Sequence, residues 1–331
     1  MVPFRHLRFQ NTSTSPQTST QMDSLQPGLL RLMFPSFILA SIFFGITVLQ
    51  TYQCLLHCKL LSKVGVVAIV VCILDGVHFL SSVTMIYPPS VSEARFADEI
   101  ALWSLKVMGT SKALLVVVTQ SYYLYLLRIL VEKVPVGQVI SRAMKSLSAA
   151  TFLYALSVAV VFIATLGKTT TISNFSSAFQ YLIYIGPVSA AAIDCTIAVA
   201  ISFVLVYTEP DAIVGNKGTH QVVIHLIFQL IGAGILTAAS CLAIMGLYWL
   251  SPSSVLYLTV EFFAPRLYSN SILALFNAKA RLNRKLNAYP ELRSYSAVFF
   301  GENQDIHLQA DDEQLAYNVS ELGRGSRRGT I

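Results

Sequence analysis

Six ionisable side chains lie within long apolar runs of this 331-residue chain, where a hydrocarbon environment makes charge expensive. They are Asp75, His78, Lys112, Asp194, Glu261 and Arg266. Asp75 and His78 are three residues apart, so they share one face of a helix. Charged groups inside membrane helices usually face the bundle interior and pair with one another. Three acids, two bases and a histidine at similar depth therefore predict a polar layer near the middle of a membrane.

The predicted polar layer has two interpretations. In the functional interpretation, the six side chains line a mid-membrane cavity that binds a ligand or an ion. In the structural interpretation, they form a satisfied network that fixes helix packing, which is a common role of polar groups between membrane helices. Residue types and spacing leave both open.

Asp75 and His78 also raise the question of catalysis, as ligands in a metal-dependent intramembrane hydrolase. Such an enzyme needs several metal-binding histidines. The last apolar segment, which carries Glu261 and Arg266, contains no histidine. We therefore expect no enzyme activity, no metal and no cofactor.

The composition is typical of a membrane protein. The chain is 54% hydrophobic and 12% charged, whereas soluble domains have about 25% charged residues. Each of seven segments is long and apolar enough to approach the roughly 20 residues of a spanning helix. The segments cover approximately residues 32–52, 64–87, 104–127, 147–166, a stretch within 175–207, 222–250 and 254–283. Because they lack strict alternation, helices are favoured over a β-barrel. The predicted fold class is all-α, a polytopic bundle of seven transmembrane helices with disordered termini.

Polar stretches flank the apolar region and predict three parts. Residues 1–27, which include a Ser/Thr/Gln-rich tract, form an external disordered tail. Residues 28–282 form the transmembrane domain, and residues 283–331 form a flexible cytoplasmic tail. No cleavable signal peptide is visible near the start, and either Met1 or Met22 would serve as the first residue.

The distribution of Lys and Arg near the helix ends predicts the orientation. One side collects Lys59, Lys63, Arg128, Lys133, Arg142, Lys145, Lys217, Lys279, Arg281, Arg284 and Lys285. The other side has Arg31, Arg95 and Lys168, with Arg5 and Arg8 in the tail. The N-terminus is therefore expected outside or in a lumen, and the C-terminus in the cytoplasm, of a plasma membrane or endomembrane protein. The sequons at Asn11 and Asn174 would accept glycans, whereas that at Asn318 would not.

The seventh segment contains a proline where a straight helix would be expected. Pro265 has no N–H to donate to the carbonyl of Glu261, so we expect a kink there. Arg266, Asn270 and Asn277 lie close to one stripe of the same helix. Lipid would not accept this stripe, so we expect it to face the interior.

Several short stretches carry a resemblance when their order and spacing are taken together. They are residues 45–53, Asp75-Gly-Val-His78, residues 120–129, Asp194, residues 232–237 and, most clearly, Leu267-Tyr-Ser-Asn-Ser-Ile-Leu-Ala-Leu-Phe-Asn277. The last is similar to a Tyr-Ser-Asn-Ser-Leu-Leu-Ala-x-Leu-Asn pattern, with Phe276 where leucine is usual. Over about residues 27–282 the chain resembles fungal, mostly basidiomycete, membrane proteins known as domain of unknown function 6534. The resemblance implies seven helices and no known activity or ligand.

Two function classes stay open at the level of sequence. Helix number, orientation and the basic inner loop 128–145 favour a receptor-like or sensory protein with a mid-membrane polar site. The marks of rhodopsin-like receptors are mostly missing, since Ala264 replaces the asparagine of Asn-Pro-x-x-Tyr, and no lysine precedes Lys279 in this helix to hold retinal. The alternative is a small-solute or lipid transporter, or a membrane scaffold without a signalling role. Expected partners are membrane lipids and a small ligand, with no nucleic acid; the oligomeric state stays open.

Overall fold

Seven helices account for nearly all of the chain that the computed structural model describes, namely residues 18–57, 62–86, 94–133, 137–170, 186–204, 217–250 and 257–287. They are α1 (Thr18–His57), α2 (Lys63–Ile86), α3 (Ala94–Lys133), α4 (Gln138–Lys168), α5 (Gly186–Val204), α6 (Lys217–Leu250) and α7 (Tyr257–Asn287). Each predicted apolar segment overlaps one of these helices within the described residues. The prediction of an all-helical protein is thus confirmed for the described residues.

Five of the helices in the described ranges are long and apolar enough to cross a membrane. Their apolar parts are Met33–Leu56, Lys63–Ile86, Glu99–Glu132, Gln138–Lys168 and Gly186–Val204. Helix α6 adds a shorter apolar stretch, Gly234–Leu250, and α7 carries Glu261 and Arg266 in its first half. These lengths indicate a multi-pass membrane protein. Membrane crossing by α6 and α7 stays a prediction.

The bundle has apolar side chains on its exterior and polar ones at its centre. Leu153 and Val160 of α4 and Trp249 of α6 are exposed, Trp249 to 79%. At the centre, Asp75 and Arg266 have no accessible surface. Soluble proteins rarely expose so much contiguous apolar surface. This inverted distribution suits a lipid surround and agrees with the lengths of the helices.

Helix α7 lies at the centre of the bundle. It packs against α1, α2, α3 and α6. Most of its side chains from Tyr257 to Asn277 are buried, including Phe262, Ile272 and Phe276. The last helix of the chain is therefore largely enclosed by other helices of the bundle.

Side-chain contacts fix the relative directions of three helices. Asn270 and Asn277 of α7 donate from Nδ2 to the carbonyl oxygens of Phe43 and Gln50 of α1, at 3.2 and 3.0 Å. Both partners advance by seven residues together, so α1 and α7 run parallel. Helix α3 is parallel to α7 as well, because Lys112 contacts Glu261 and further along Tyr123 contacts Ser271. This arrangement agrees with the first, third and seventh helices entering from the same side.

Two helix boundaries differ from the sequence prediction. Helix α1 begins at Thr18, within the stretch assigned to a disordered tail (1–27), and α7 continues to Asn287, beyond the predicted boundary at 282. Extending an existing helix adds one hydrogen bond per residue without a new nucleation cost, so polar residues can continue it. Helix α7 also continues through Pro265, and the kink there stays a prediction. Asn11, Asn174 and Asn318 lie outside the described residues.

Candidate mid-membrane polar site

The inward face of α2 positions two of the predicted polar residues. Its buried side chains recur every three or four residues, through Ala68, Val71, Asp75, His78 and Ser82. This spacing is that of one helical face. Asp75 and His78 therefore lie on the same stripe as the small and apolar side chains that pack against neighbouring helices.

Asp75, His78 and Arg266 meet at the interface of α2 and α7, and all three are fully buried. Arg266 Nε lies 3.5 Å from Asp75 Oδ1. Its Nη1 contacts Nδ1 of His78 and donates to the carbonyl oxygen of Phe262 at 2.8 Å. The guanidinium also lies over the ring of Phe79, 5.7 Å from the centroid, which is a cation–π geometry. We call Asp75, His78 and Arg266 the α2–α7 cluster.

The α2–α7 cluster has hydrogen-bonding capacity that the described residues do not fill. Nε2 of His78 and Nη2 of Arg266 are buried without a hydrogen-bond partner among those residues, and Asp75 has only Thr47 and the 3.5 Å contact with Arg266 Nε. Buried polar groups in native proteins are almost always satisfied, by protein atoms or by ordered water. The cluster therefore has donors and acceptors available for water.

Lys112 of α3 and Glu261 of α7 form a second ion pair. Their side chains are 21% and 13% exposed, so the pair is less enclosed than the α2–α7 cluster. It lies at the edge of an internal cavity that both side chains line. The predicted balance of charge thus consists of two separate ion pairs.

Asp194 of α5 has neutral partners within the described residues. Gln120 donates from Nε2 to Oδ1 at 3.0 Å, and the hydroxyl of Tyr268 donates to Oδ2 at 2.7 Å. The described ion pairs of the bundle use Asp75, Glu132 and Glu261 as their acids. The structure therefore separates Asp194 from the two bases that the sequence placed in the same layer.

A cavity with a volume of about 110 Å³ lies among α3, α4, α5, α6 and α7. That is several times the roughly 10–15 Å³ that one water molecule needs. Most of its wall is apolar, including Val116, Phe162 and Ile244. Its polar side chains include His78, Lys112, Gln120, Glu261 and Tyr268. We call this space the main cavity.

The six predicted residues thus divide between different surroundings. His78, Lys112 and Glu261 line the main cavity, whereas Asp75 and Arg266 pair with each other and are not part of its wall. Asp194 lines a second, smaller cavity. Among the described residues, no group of three or more His, Cys, Asp or Glu side chains could hold a metal ion.

Sequence reasoning missed the roles of Gln120, Tyr268 and Phe79. Gln120 lies eight residues after Lys112, and Tyr268 seven residues after Glu261, so each lies on the same helix face as a residue that was identified. Extending those two polar faces by two turns would have found both. The position of Phe79 beside Arg266 had no signal in the sequence, because it depends on how α2 and α7 are rotated.

Part of the chain matches a known family model. Residues 190–281 match a model described as a family of unknown function (DUF6534). The matched region covers α6, nearly all of α5 and α7 up to residue 281, and it includes Asp194, Glu261 and Arg266. No curated protein matches the chain. The comparison therefore supports the resemblance to this family, to which no function is attached.

Proposed function

We propose that this protein is a receptor-like or sensory membrane protein that binds a small, mainly apolar ligand in the main cavity. In this proposal all seven helices cross the membrane, with the N-terminus outside and the C-terminus in the cytoplasm. The protein has no catalytic role and no nucleic-acid partner. We also propose that the chain belongs to the fungal family over about residues 27–282, beyond the residues 190–281 that match the family model.

The observation that carries the proposal is the combination of an apolar wall with a few polar groups in one cavity. Ligand pockets for small molecules have this character, since apolar contacts supply affinity and a few polar groups fix the orientation. In the main cavity, the polar groups near the α3–α7 contact are Lys112, Glu261, Gln120 and Tyr268. A packing defect of the same size would not need them.

The charges in the wall favour a neutral ligand. Lys112 and Glu261 are paired, so together they contribute no net charge. An ionised ligand would have to displace one member of the pair and leave the other uncompensated, which is costly in a low-dielectric setting. We therefore expect an apolar body with one neutral hydrogen-bonding group, such as a hydroxyl or a carbonyl.

Cysteine accessibility tests whether the main cavity is reached from outside. In a variant whose native cysteines are serine, Ala159→Cys places a thiol in the cavity wall. The matched control is Val160→Cys, one residue further along α4 and 58% exposed on the outer surface. We expect a water-soluble, membrane-impermeant methanethiosulfonate added outside intact cells to label Ala159→Cys and to spare the lipid-facing control. 1-Octanol should slow the labelling and octane should not, because only 1-octanol has the hydroxyl group that we expect in the ligand.

The other outcomes separate the alternatives. Labelling of Ala159→Cys from both sides of the membrane would favour the small-solute or lipid transporter. If the thiol is labelled from neither side while the same protein is labelled readily after denaturation, the cavity is sealed. A sealed cavity would refute the binding proposal and leave a scaffold with a satisfied interior.

A further inference from the structure

A second cavity, much smaller than the first, lies beside Asp194. It has a volume of about 30 Å³, whereas one water molecule needs roughly 10–15 Å³. Helices α3, α5, α6 and α7 surround it. We call this space the Asp194 cavity.

Five of the eight residues that line the Asp194 cavity carry a side-chain oxygen, within a wall whose area is mostly apolar. Besides the carboxylate, it includes side-chain hydroxyls from all of the other helices around it: Tyr123 of α3, Thr237 of α6, and Tyr268 and Ser271 of α7. Gly234 of α6 belongs to the same wall. A Cβ added at Gly234 would lie 3.4 Å from Cβ of Ala198, so the lack of a side chain lets α6 approach α5 closely. Carboxylate and hydroxyl oxygens are hard ligands of the kind that hard cations prefer.

The hydrogen bonds around Asp194 suit an ionised carboxylate. Gln120 and Tyr268 each donate to a different carboxylate oxygen. Thr237 is a third hydrogen-bonding neighbour of this carboxylate. A carboxylate offers about four lone-pair positions, so at least one remains available. Tyr268 uses its proton in the bond to Asp194 and has Thr237 as a further hydrogen-bonding neighbour, so its hydroxyl oxygen has a lone pair left for a cation.

The charge of Asp194 has no counterpart within the described part of the chain. No Lys or Arg of that part forms an ion pair with it, whereas Asp75 and Glu261 each have one. An ionised group inside a membrane bundle is expensive without a partner. Asp194 lies near the middle of α5, far from either end of the helix.

We propose that the Asp194 cavity is a binding site for a small monovalent cation of the sodium type. One carboxylate supplies one negative charge, and the hydroxyls of Tyr123, Thr237, Tyr268 and Ser271 supply neutral oxygens. A divalent ion such as calcium is bound through six to eight oxygens, several of them from carboxylates, and a cavity of this size with one acid does not provide them. This site is separate from the main cavity, although Tyr268 belongs to the walls of both.

Sodium-dependent stability of the purified full chain tests the proposal. The temperature of half-unfolding is measured in detergent from 0 to 300 mM NaCl, with N-methylglucamine chloride added to hold the ionic strength constant. A ligand that binds only the folded state raises stability with its concentration. We expect the midpoint to rise steadily with sodium, by several degrees, and not to respond to N-methylglucamine alone.

Three variants make the test specific. Asp194→Asn should abolish the sodium response, and Ser271→Ala should raise the sodium concentration needed for it by about tenfold, as for the loss of a supporting group at other metal sites. Glu132→Gln, which neutralises a surface acid, is the matched control and should keep the full response. Ser271→Ala also decides the question if Asp194→Asn does not fold.

Two results would overturn the proposal. One is a wild-type midpoint that is the same in sodium and N-methylglucamine at every concentration. The other is a sodium response that survives unchanged in Asp194→Asn or in Ser271→Ala. Neither result bears on the main cavity, because thiol labelling of Ala159→Cys does not depend on sodium.

Discussion

Arg266 is the residue on which the polar interior depends most directly. Its guanidinium contacts Asp75, His78 and the carbonyl of Phe262 within one fully buried cluster. Removing one partner from a buried pair is more damaging than removing both, because the remaining charge is left uncompensated. Ion pairs on the surface differ from this pair, because solvent screens their charges and they contribute little to stability.

We predict that Arg266→Leu lowers the free energy of unfolding by about 3–5 kcal/mol, because Asp75 is left as a buried unpaired charge. The double variant Asp75→Asn with Arg266→Leu should recover part of this loss. Arg128→Leu is the matched control, since Arg128 is 67% exposed in a surface pair with Glu132 and should change stability by less than about 1 kcal/mol. Chemical unfolding in detergent measures all three. An Arg266→Leu protein as stable as the wild type would show that the cluster has no structural role.

At the scale of the helices, glycine positions decide how closely two elements approach. An added Cβ at Gly109 of α3 would lie 2.8 Å from Cδ2 of Leu166 of α4. At Gly45 of α1 no heavy atom of the described structure lies within 4 Å of the corresponding point. The two glycines have the same backbone conformation, that of a helix interior, and differ in what surrounds them.

Gly109→Val is therefore expected to destabilise the bundle by about 1–3 kcal/mol, the usual cost of overpacking a filled interior. Gly45→Val should be neutral or slightly stabilising, because glycine is a poor helix former and the site is open. Thermal unfolding of the two variants side by side gives the comparison. If both valines have equal effects, the α3–α4 contact is looser than the structure indicates.

At the scale of the whole molecule, the parallel directions of α1, α3 and α7 agree with an odd number of crossings. The contacts of Asn270 and Asn277 with α1 set this direction for the first and last helices. An odd number of crossings would place the two termini on opposite sides of the membrane, and the excess of basic residues on one side predicts that this side is cytoplasmic.

A glycosylation scan in microsomes should therefore modify Asn174 and leave Asn318 unmodified, because only lumenal sequons meet the transferase. The shift in gel mobility on Asn174 should disappear in Asn174→Gln and after enzymatic deglycosylation. Modification of Asn318 with an unmodified Asn174 would reverse the orientation.

Sequence reasoning located the helices and the buried face of α2 because both are periodic patterns within a single segment. The spacing of Asp75 and His78 was enough to place both in the interior. The sequence could not show that Asp75 pairs with Arg266 while Lys112 pairs with Glu261, because the choice of partner depends on how α7 is rotated relative to α2 and α3. It also could not find the neutral partners of Asp194, since Gln120 and Tyr268 carry no charge that would mark them in an apolar helix.

The central place of α7 has a consequence for the order in which the protein is made. The ribosome delivers the other six helices first, and the helix that packs against α1, α2, α3 and α6 arrives last. Helix α7 is not among the five whose apolar lengths suffice for crossing, and its Asn270 and Asn277 find their acceptors on α1. If α7 crosses the membrane, as we propose, it would enter the bilayer by docking onto helices that are already inserted. A premature stop codon before Tyr257 would leave Asp75 and His78 of α2 buried without Arg266, and we expect such a truncated protein to be a substrate for quality control.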